Sequence, residues 1–321
     1  GMSLARALRN SIANTRGISV FEDALLISLF RHEDEVRGAL VLDLKTSDYL
    51  VFRARTTILA TGGCCWLYYP QTTNNRSATG DGYALSYEAG ARLVDMEMVQ
   101  FFPFAINHPP RLAGSILDEP ILAGPKGKLI NGLDEVVADR DINRMTRAQV
   151  TALMAREITA GRATKWGGLK LDLSENLAVP EMLAYKKMND ERKSFEKVRE
   201  AYGEAAFNWN APWDVSPSAH YMLGGVKIDR HGRTSLKRLY AVGEVAGGTM
   251  GANRLGTTSI ADIFVTGMAA GAHGATIIGK RAVGKLDEAL LKSEIAKIEF
   301  FFGKKGRIRP VKIMRELQTL M

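Results

Sequence analysis

The spacing of apolar and polar positions changes period several times along the chain. In SLARALRNSIAN the apolar residues Leu4, Leu8 and Ile12 recur at helical spacing, which predicts a helix packed on a sheet. GISVFED, ALLISLF, GALVLDL and YLVFRA then predict successive strands, parted by the polar turns RHEDEVRG and KTSD. TTILATGG reads as a further apolar strand. Its abrupt stop at Gly62 and Gly63 lets another backbone or a ligand approach the strand end closely. In SATGDGYALSYEAGARL, Thr79 or Asp81 is placed to cap a helix that ends near Gly90.

From Phe101 to about Trp213 the character changes. Pro103, Pro109, Pro110, Pro120 and Pro125 break the chain, and charged helical patterns run from Thr146 to Ala160 and from Pro180 to Tyr202. The sheet pattern resumes with GGVKI and RLYAVGE, turning at His231 and Gly232 between them. After GANRLGTTSI comes a long apolar helix with Gly267, Ala270, Gly271 and Gly274 at helical spacing, small residues that permit close packing. The order implies an α/β domain in two parts, residues 1–100 and 214–283, interrupted by an inserted domain at 101–213 and followed by a helical section at 284–321.

With 321 residues, 46% of them hydrophobic and 24% charged, the chain can bury a substantial core as a soluble globular protein. The formal charge of +8 fits an anionic ligand, but Lys and Arg are scattered rather than drawn into a stripe, which argues against a nucleic-acid face. Cys64 and Cys65 are neighbours, so they form no disulfide framework and lack the spaced partners of a zinc site. Small buried thiols in a reducing cytoplasm are the expectation. Ile260 to Gly279 has the length of a membrane span, yet it holds Asp262, His273 and many small residues; it reads as a buried helix, with no direct membrane insertion.

Two strand ends, TTILATGG and RLYAVGE, with two glycine-rich helix starts describe a crevice of the kind in which α/β sheets bind ligands. Such starts favour an anion or an electron-rich group. Glu244 at a strand end can accept hydrogen bonds from ribose or ribityl hydroxyls, and Arg254 can hold a carboxylate in a fork of paired hydrogen bonds.

Taken in this order, ILATGG, NNRSATGDGYALSYEAGARLVDMEMVQFFP, SAHYMLGGVKIDRHGRTSLKRLYAVGEVAGG and GANRLGTTSIADIFVTG resemble the flavoprotein subunits of succinate dehydrogenase and fumarate reductase, with the related L-aspartate oxidases. The resemblance implies an FAD-dependent oxidoreductase with an α/β, Rossmann-like FAD-binding domain, incomplete here and interrupted by an α+β capping domain that holds substrate against the isoalloxazine. By the same resemblance Ala60, Thr61, Gly62, Asp81, Gly243, Glu244, Ser259 and Ile260 contact FAD or the space above its ring. Arg254 and His220 bind a small carboxylate substrate, and Arg147 exchanges a proton with it. An iron–sulfur electron-transfer subunit is the implied partner, and cytoplasmic placement, peripheral at a membrane through that partner, the implied location. A non-catalytic relative that keeps the fold as a scaffold is the alternative.

Three departures from the family pattern bear on chemistry. Where the family usually reads QFHPT, this chain reads Gln100-Phe101-Phe102-Pro103-Phe104, so Phe102 stands in place of a carboxylate-binding His. DEPILAGPKGKLIN replaces the usual Thr-Glu-Gly and Arg-Gly-Glu-Gly-Gly run, with Glu119 and Pro120 near the Thr-Glu position, and Ala148 follows Arg147 where an Asp is usual. Since each charged hydrogen bond is worth about 1.5 to 3 kcal/mol, losing several argues against succinate or fumarate as the substrate. The family's leading Gly-x-Gly-x-x-Gly turn is not among these residues, and RIRPVKIMRELQTLM resembles the start of its C-terminal helical domain, so the resemblance implies the central portion of a longer chain.

Overall fold

The computed structural model describes residues 2–138, 141–279, 282–285, 287–302, 306 and 308–321. Helix α1 (Met2–Ala13) precedes an antiparallel meander of β1 (Ala24–His32), β2 (Glu35–Asp43) and β3 (Tyr49–Arg53). The turn between β1 and β2 is only Glu33 and Asp34 long, because both strands extend into the charged run that the sequence marked as loop. β4 (Thr57–Leu59) leads to the glycine pair, and α2 (Asp81–Glu88) follows.

After the short β5 (Leu93–Val94), strand β6 (Val99–Ile106) enters a five-stranded sheet. Its other members are β7 (Lys128–Ile130), β8 (Val136–Ala138), β9 (Leu169–Asp172) and, beyond α3 (Arg147–Thr159), α4 (Pro180–Glu191) and α5 (Glu196–Phe207), the long β10 (Trp213–Met222). The sheet order is β6-β10-β9-β7-β8, antiparallel at the β6–β10, β10–β9, β9–β7 and β7–β8 pairs. Around it lies one hydrophobic cluster, from Phe104 and Ile106 through Val150 and Met154 to Trp209 and Trp213. The predicted helix from Pro180 to Tyr202 is two helices, divided where Lys193 takes a positive φ of 55°.

β11 (Gly225–Lys227) pairs with β5 and with β13 (Ala246–Gly247), while β12 (Leu239–Ala241) lies parallel to β4 in register Leu239 to Thr57. A second cluster, including Leu29, Val36, Leu59, Tyr83, Leu239 and Val245, unites the meander, β4, α2 and β12. Helices α6 (Thr258–Ile278), α7 (Glu288–Phe302) and α8 (Pro310–Leu320) close the chain.

Three expectations fail here. GISVFED is not a strand: Ile18, Val20 and Phe21 are exposed, having neither a ladder partner nor a core to face. Helix α1 does not press its apolar stripe on a sheet, since Leu4, Leu8 and Ile12 are exposed. α6 is not a buried helix; only Thr266, Ala270 and Gly274 are buried, while Val265 and Met268 are 67% and 73% exposed. Of its small residues only Ala270 and Gly274 are packed closely, while a Cβ at Gly267 or Gly271 would meet nothing within 4 Å, so its other faces lie open although a helix apolar all round is usually covered. By length and composition alone it is long and apolar enough to cross a membrane.

Candidate functional site

β4 and β12 stop at the same level, where the amide of Val242 donates to the Leu59 carbonyl at 3.0 Å, and the cofactor-binding candidates gather beyond that point. Ala60 and Thr61 are exposed at the end of β4. Gly62 turns the chain with φ of 74° into open space, a conformation that other residues adopt at a cost. Gly63 is buried, and a Cβ there would run into the Glu244 carboxylate. Gly243, at φ 66°, ends β12 and donates its amide to the Thr266 hydroxyl of α6 at 3.1 Å.

Glu244 itself is already engaged. Its Oε1 accepts the Met222 amide at 2.9 Å, its carbonyl accepts the Tyr83 hydroxyl at 2.8 Å, and burial raises its carboxyl above the usual range. Asp81 is exposed and accepts the Thr79 hydroxyl at 2.6 Å, so neither residue caps α2 as the sequence predicted; the cap position is Gly80, in the left-handed region, because the hydroxyl that would reach the helix amides is turned to Asp81. No side chain caps α6 either. The amides of Tyr83, Thr258 and Ile260 already have backbone carbonyl partners, which leaves those of Asp81 and Gly82 at α2 and of Ser259 at α6 to a ligand or to water. Ser259 and Ile260 lie in the first turn of α6, with Ile260 exposed.

These residues fit FAD. Two glycine strand ends, an open Gly62 and uncapped helix starts suit an elongated anionic cofactor lying across the strand ends, and Gly63 leaves no room for a side chain beside Glu244. The Cys64 and Cys65 thiols are buried and free. Burial pushes Cys64 up to about 11 and Cys65 higher still, which makes them inert packing groups.

The substrate and proton candidates form a second group. Arg147 is the first residue of α3, whose start is fixed by a reciprocal cap: Gln149 donates its amide to the Thr146 hydroxyl, and its side chain accepts the Thr146 amide. This places the guanidinium inward, only 9% exposed, rather than on a solvated helix face. Arg147 Nε donates to Glu119 Oε2 at 2.7 Å, Nη2 donates to Glu119 Oε1, and Nη1 donates to Gln100 Oε1 at 3.1 Å. The guanidinium carbon lies 4.8 Å from the centre of the Phe102 ring. The position that lacks the family's His therefore carries an aromatic face beneath the cation, worth up to about 2 kcal/mol when desolvated.

Arg254 is 5% exposed and makes no ion pair with a carboxylate among the described residues. It lies over the Tyr221 ring at 4.4 Å, its Nη1 donates to Ser259 Oγ at 3.3 Å, and its Nε is buried without a partner. Burial first, then the Arg147 charge, depress its proton affinity. His220 sits beside Phe102, ring centres 5.3 Å apart, with Nδ1 and the Thr73 hydroxyl 2.8 Å apart. Burial, with Arg254 and Arg147 adding to it, lowers His220 to about 4, so it is neutral near pH 7.

Arg147, His220 and Arg254 are thus brought together, as the sequence predicted, and Phe102 lies among them. Sequence reasoning missed Glu119 and Gln100 as working parts. Glu119 had one usable signal, its place near the family's Thr-Glu position; Gln100 had none beyond lying two residues before Phe102. A buried guanidinium in a two-pronged carboxylate pair, beside a second buried cation lacking one, can bind an anion and pass a proton to it.

The sequence matches the family described as FAD binding domain over residues 1–260. It is 35% identical to a fumarate reductase (CoM/CoB) subunit of Methanothermobacter marburgensis, covering all of this chain and 57% of that protein. It is also 35% identical to the L-aspartate oxidase of Halobacterium salinarum, over 79% of this chain and 47% of the relative. Among solved structures, a mutant E. coli quinol fumarate reductase superposes with a TM-score of 0.80 at 26% identity, over 98% of this chain and 55% of that one. The chain spans about half the length of the relatives it matches.

Proposed function

The chain belongs to the FAD-binding family of succinate dehydrogenase and fumarate reductase flavoproteins, and on that premise we propose that it works as an FAD-dependent oxidoreductase on a carboxylate-bearing substrate. The observation that carries this reading is the buried Arg147 guanidinium, joined on two nitrogens to Glu119 and set beside an Arg254 that has no carboxylate partner among the described residues. Ala60 to Gly62, Gly243 and the starts of α2 and α6, with Ser259 and Ile260, are the residues that hold FAD. When bound, the flavin supplies an atom that gives or takes a hydride.

Arg254 binds the substrate carboxylate, since burial strengthens the attraction between the two charges and no carboxylate among the described residues is paired with it. His220, neutral and tied through Nδ1 to Thr73, presents its Nε2 to the same ligand. Arg147 holds the proton that is exchanged. A guanidinium gives up a proton only if it is returned at once. Glu119, bonded to both Nε and Nη2 and with 38% of its side chain open to solvent, is the carboxyl positioned to return it.

Phe102 contributes no polar contact, so the second carboxylate of a C4 dicarboxylate gains little here, and substrates with one carboxylate and an apolar remainder are favoured. The Methanothermobacter relative is named as one subunit of its enzyme, which supports a partner subunit; that the partner is an iron–sulfur electron-transfer protein, and that the chain lies in the cytoplasm and peripherally at a membrane through it, are parts of the same proposal that rest on the family resemblance. The scaffold alternative rests on Phe102 and on the DEPILAGPKGKLIN run that departs from the family, but Glu119 of that run pairs with Arg147, which favours catalysis. The test is anaerobic: flavin-loaded, reduced protein is mixed with fumarate, crotonate and cinnamate in turn. Reoxidation by at least one is expected, and silence toward all three would remove the catalytic reading in favour of the scaffold.

A further inference from the structure

Gln100 sits on β6, paired across the ladder with Tyr221 of β10, and is 5% exposed. Both ends of its amide are used. Oε1 accepts from Arg147 Nη1 at 3.1 Å, and Nε2 donates to the Arg254 carbonyl at 2.7 Å; the partners lie 47 and 154 residues away in sequence. Arg147 gives its other two donor nitrogens to Glu119, so Gln100 secures the remaining side of that guanidinium. Among the described residues Arg254 has no carboxylate to anchor it; its guanidinium lies over the Tyr221 ring, and its side-chain hydrogen bonds go to Ser259 Oγ and to its neighbour's carbonyl, the latter at 3.4 Å. The bond from Gln100 to its backbone is therefore the shortest anchor it has.

Two guanidiniums held in one buried site repel, and each loses solvation. An amide suits position 100 because it accepts from the Arg147 guanidinium at one end and donates to the Arg254 main-chain carbonyl at the other. A carboxylate of the same size would still accept from Arg147. It would also set an oxygen against the Arg254 carbonyl and add negative charge beside the anion site. We propose that Gln100 is a positioning residue that fixes Arg254 relative to Arg147, and so sets where a bound carboxylate lies against the proton donor. This inference rests on the functional reading above.

The test is Gln100→Glu in the flavin-loaded protein, with fumarate as the probe and its dissociation constant read from the perturbed flavin spectrum. The charged and titratable groups facing position 100 are Arg147 on α3, Glu119 before Pro120, His220 and Tyr221 on β10, and Arg254. The wild type is titrated at each pH, so the ratio of variant to wild type isolates the new group. At about pH 8 that ratio should be about tenfold or more, the equivalent of one charge-assisted hydrogen bond. Once the pH is low enough to protonate the introduced carboxyl, whose charged form the Arg147 guanidinium favours, the ratio should fall toward one, because a protonated Glu again donates to the Arg254 carbonyl.

A ratio that is the same at high and low pH, whether one or large, overturns the proposal: the first denies any role, and the second shows mere structural damage. If the Glu variant does not fold, Gln100→Met breaks the bridge without adding charge. It must weaken fumarate binding several-fold while FAD content stays unchanged, and an unchanged dissociation constant overturns the proposal. Arg254→Lys is titrated beside them. If it too binds fumarate like wild type, the anion-site reading has failed; if only the Gln100 variants do, the reading stands and this inference falls.

Discussion

Arg254→Lys separates an anion clamp from a structural arginine, and the surroundings of Arg254 let both consequences be worked out. On the stability side, Lys loses the 3.3 Å bond to Ser259 Oγ and part of the cation–π contact with Tyr221, together about 1 to 2 kcal/mol. It also removes the buried Nε that has no partner, a group whose burial costs about 1 to 3 kcal/mol. The two nearly cancel, so the melting temperature should move by only a few degrees, about 2 to 4 °C for each kcal/mol in a chain of this order of size. On the binding side, an ammonium cannot reproduce the planar two-pronged contact with a carboxylate. The loss is about 1.5 to 3 kcal/mol, which weakens anion affinity about 10- to 150-fold. Flavin-loaded wild type and variant are compared by thermal melting and by carboxylate titration of the flavin spectrum. A variant that melts much earlier yet binds the carboxylate as before would refute the clamp.

Glu119→Gln keeps the shape of the Arg147 pair but cannot return a proton, so turnover should fall about 100-fold, within the usual range for an acid–base group, with a smaller change in substrate affinity. Equal losses in turnover and affinity would count against the relay. Gly63→Ala pushes a methyl into the Glu244 carboxyl and should cost about 1 to 3 kcal/mol of stability together with FAD retention; a variant that melts and holds FAD normally would show that the close approach does not matter. His220 is held near 4 in the folded state against 6.5 ordinarily, so the unfolded chain binds more protons between those values. Its contribution is therefore complete above pH 6.5 and lost as pH falls toward 4, by at most about 3 kcal/mol. His220→Gln should flatten the fall in stability across that window, and an unchanged slope would contradict the assignment.

The hairpin strands β1, β2 and β3 were legible from apolar runs parted by polar turns, and α2 and α3 from their helical patterns, although neither Thr79 nor Asp81 caps α2 and the Thr146–Gln149 cap of α3 emerges only in the structure. GISVFED shows the limit of the pattern: β-branched and aromatic residues describe a surface that fits a sheet, not whether a partner strand is present. α6 shows another, since an apolar sequence is the same whether its faces are covered or open. In the site, Arg147, His220 and Arg254 were legible by family resemblance. The network around them was not. Gln100 meets the Arg254 carbonyl across 154 residues, and nothing local marks an amide that will be held between that carbonyl and the Arg147 guanidinium. Glu119 lies in a run that departs from the family, so its pairing with Arg147 appears only once β6, α3 and that run are brought together.

The central claim is that Arg147 gives a proton to one carbon of a carboxylate-bearing substrate held by this cluster, while the other carbon takes the hydride that the bound flavin would supply. The most direct measurement is rapid-mixing reoxidation of the dithionite-reduced, flavin-loaded protein by crotonate and by fumarate, for wild type and Arg147→Lys side by side. Wild type should be reoxidised by crotonate more effectively than by fumarate. Arg147→Lys, which keeps the charge but loses the paired contact with Glu119, should be slower by about 100-fold or more, the upper part of the range for losing a general acid. Equal rates in the two proteins would contradict the account.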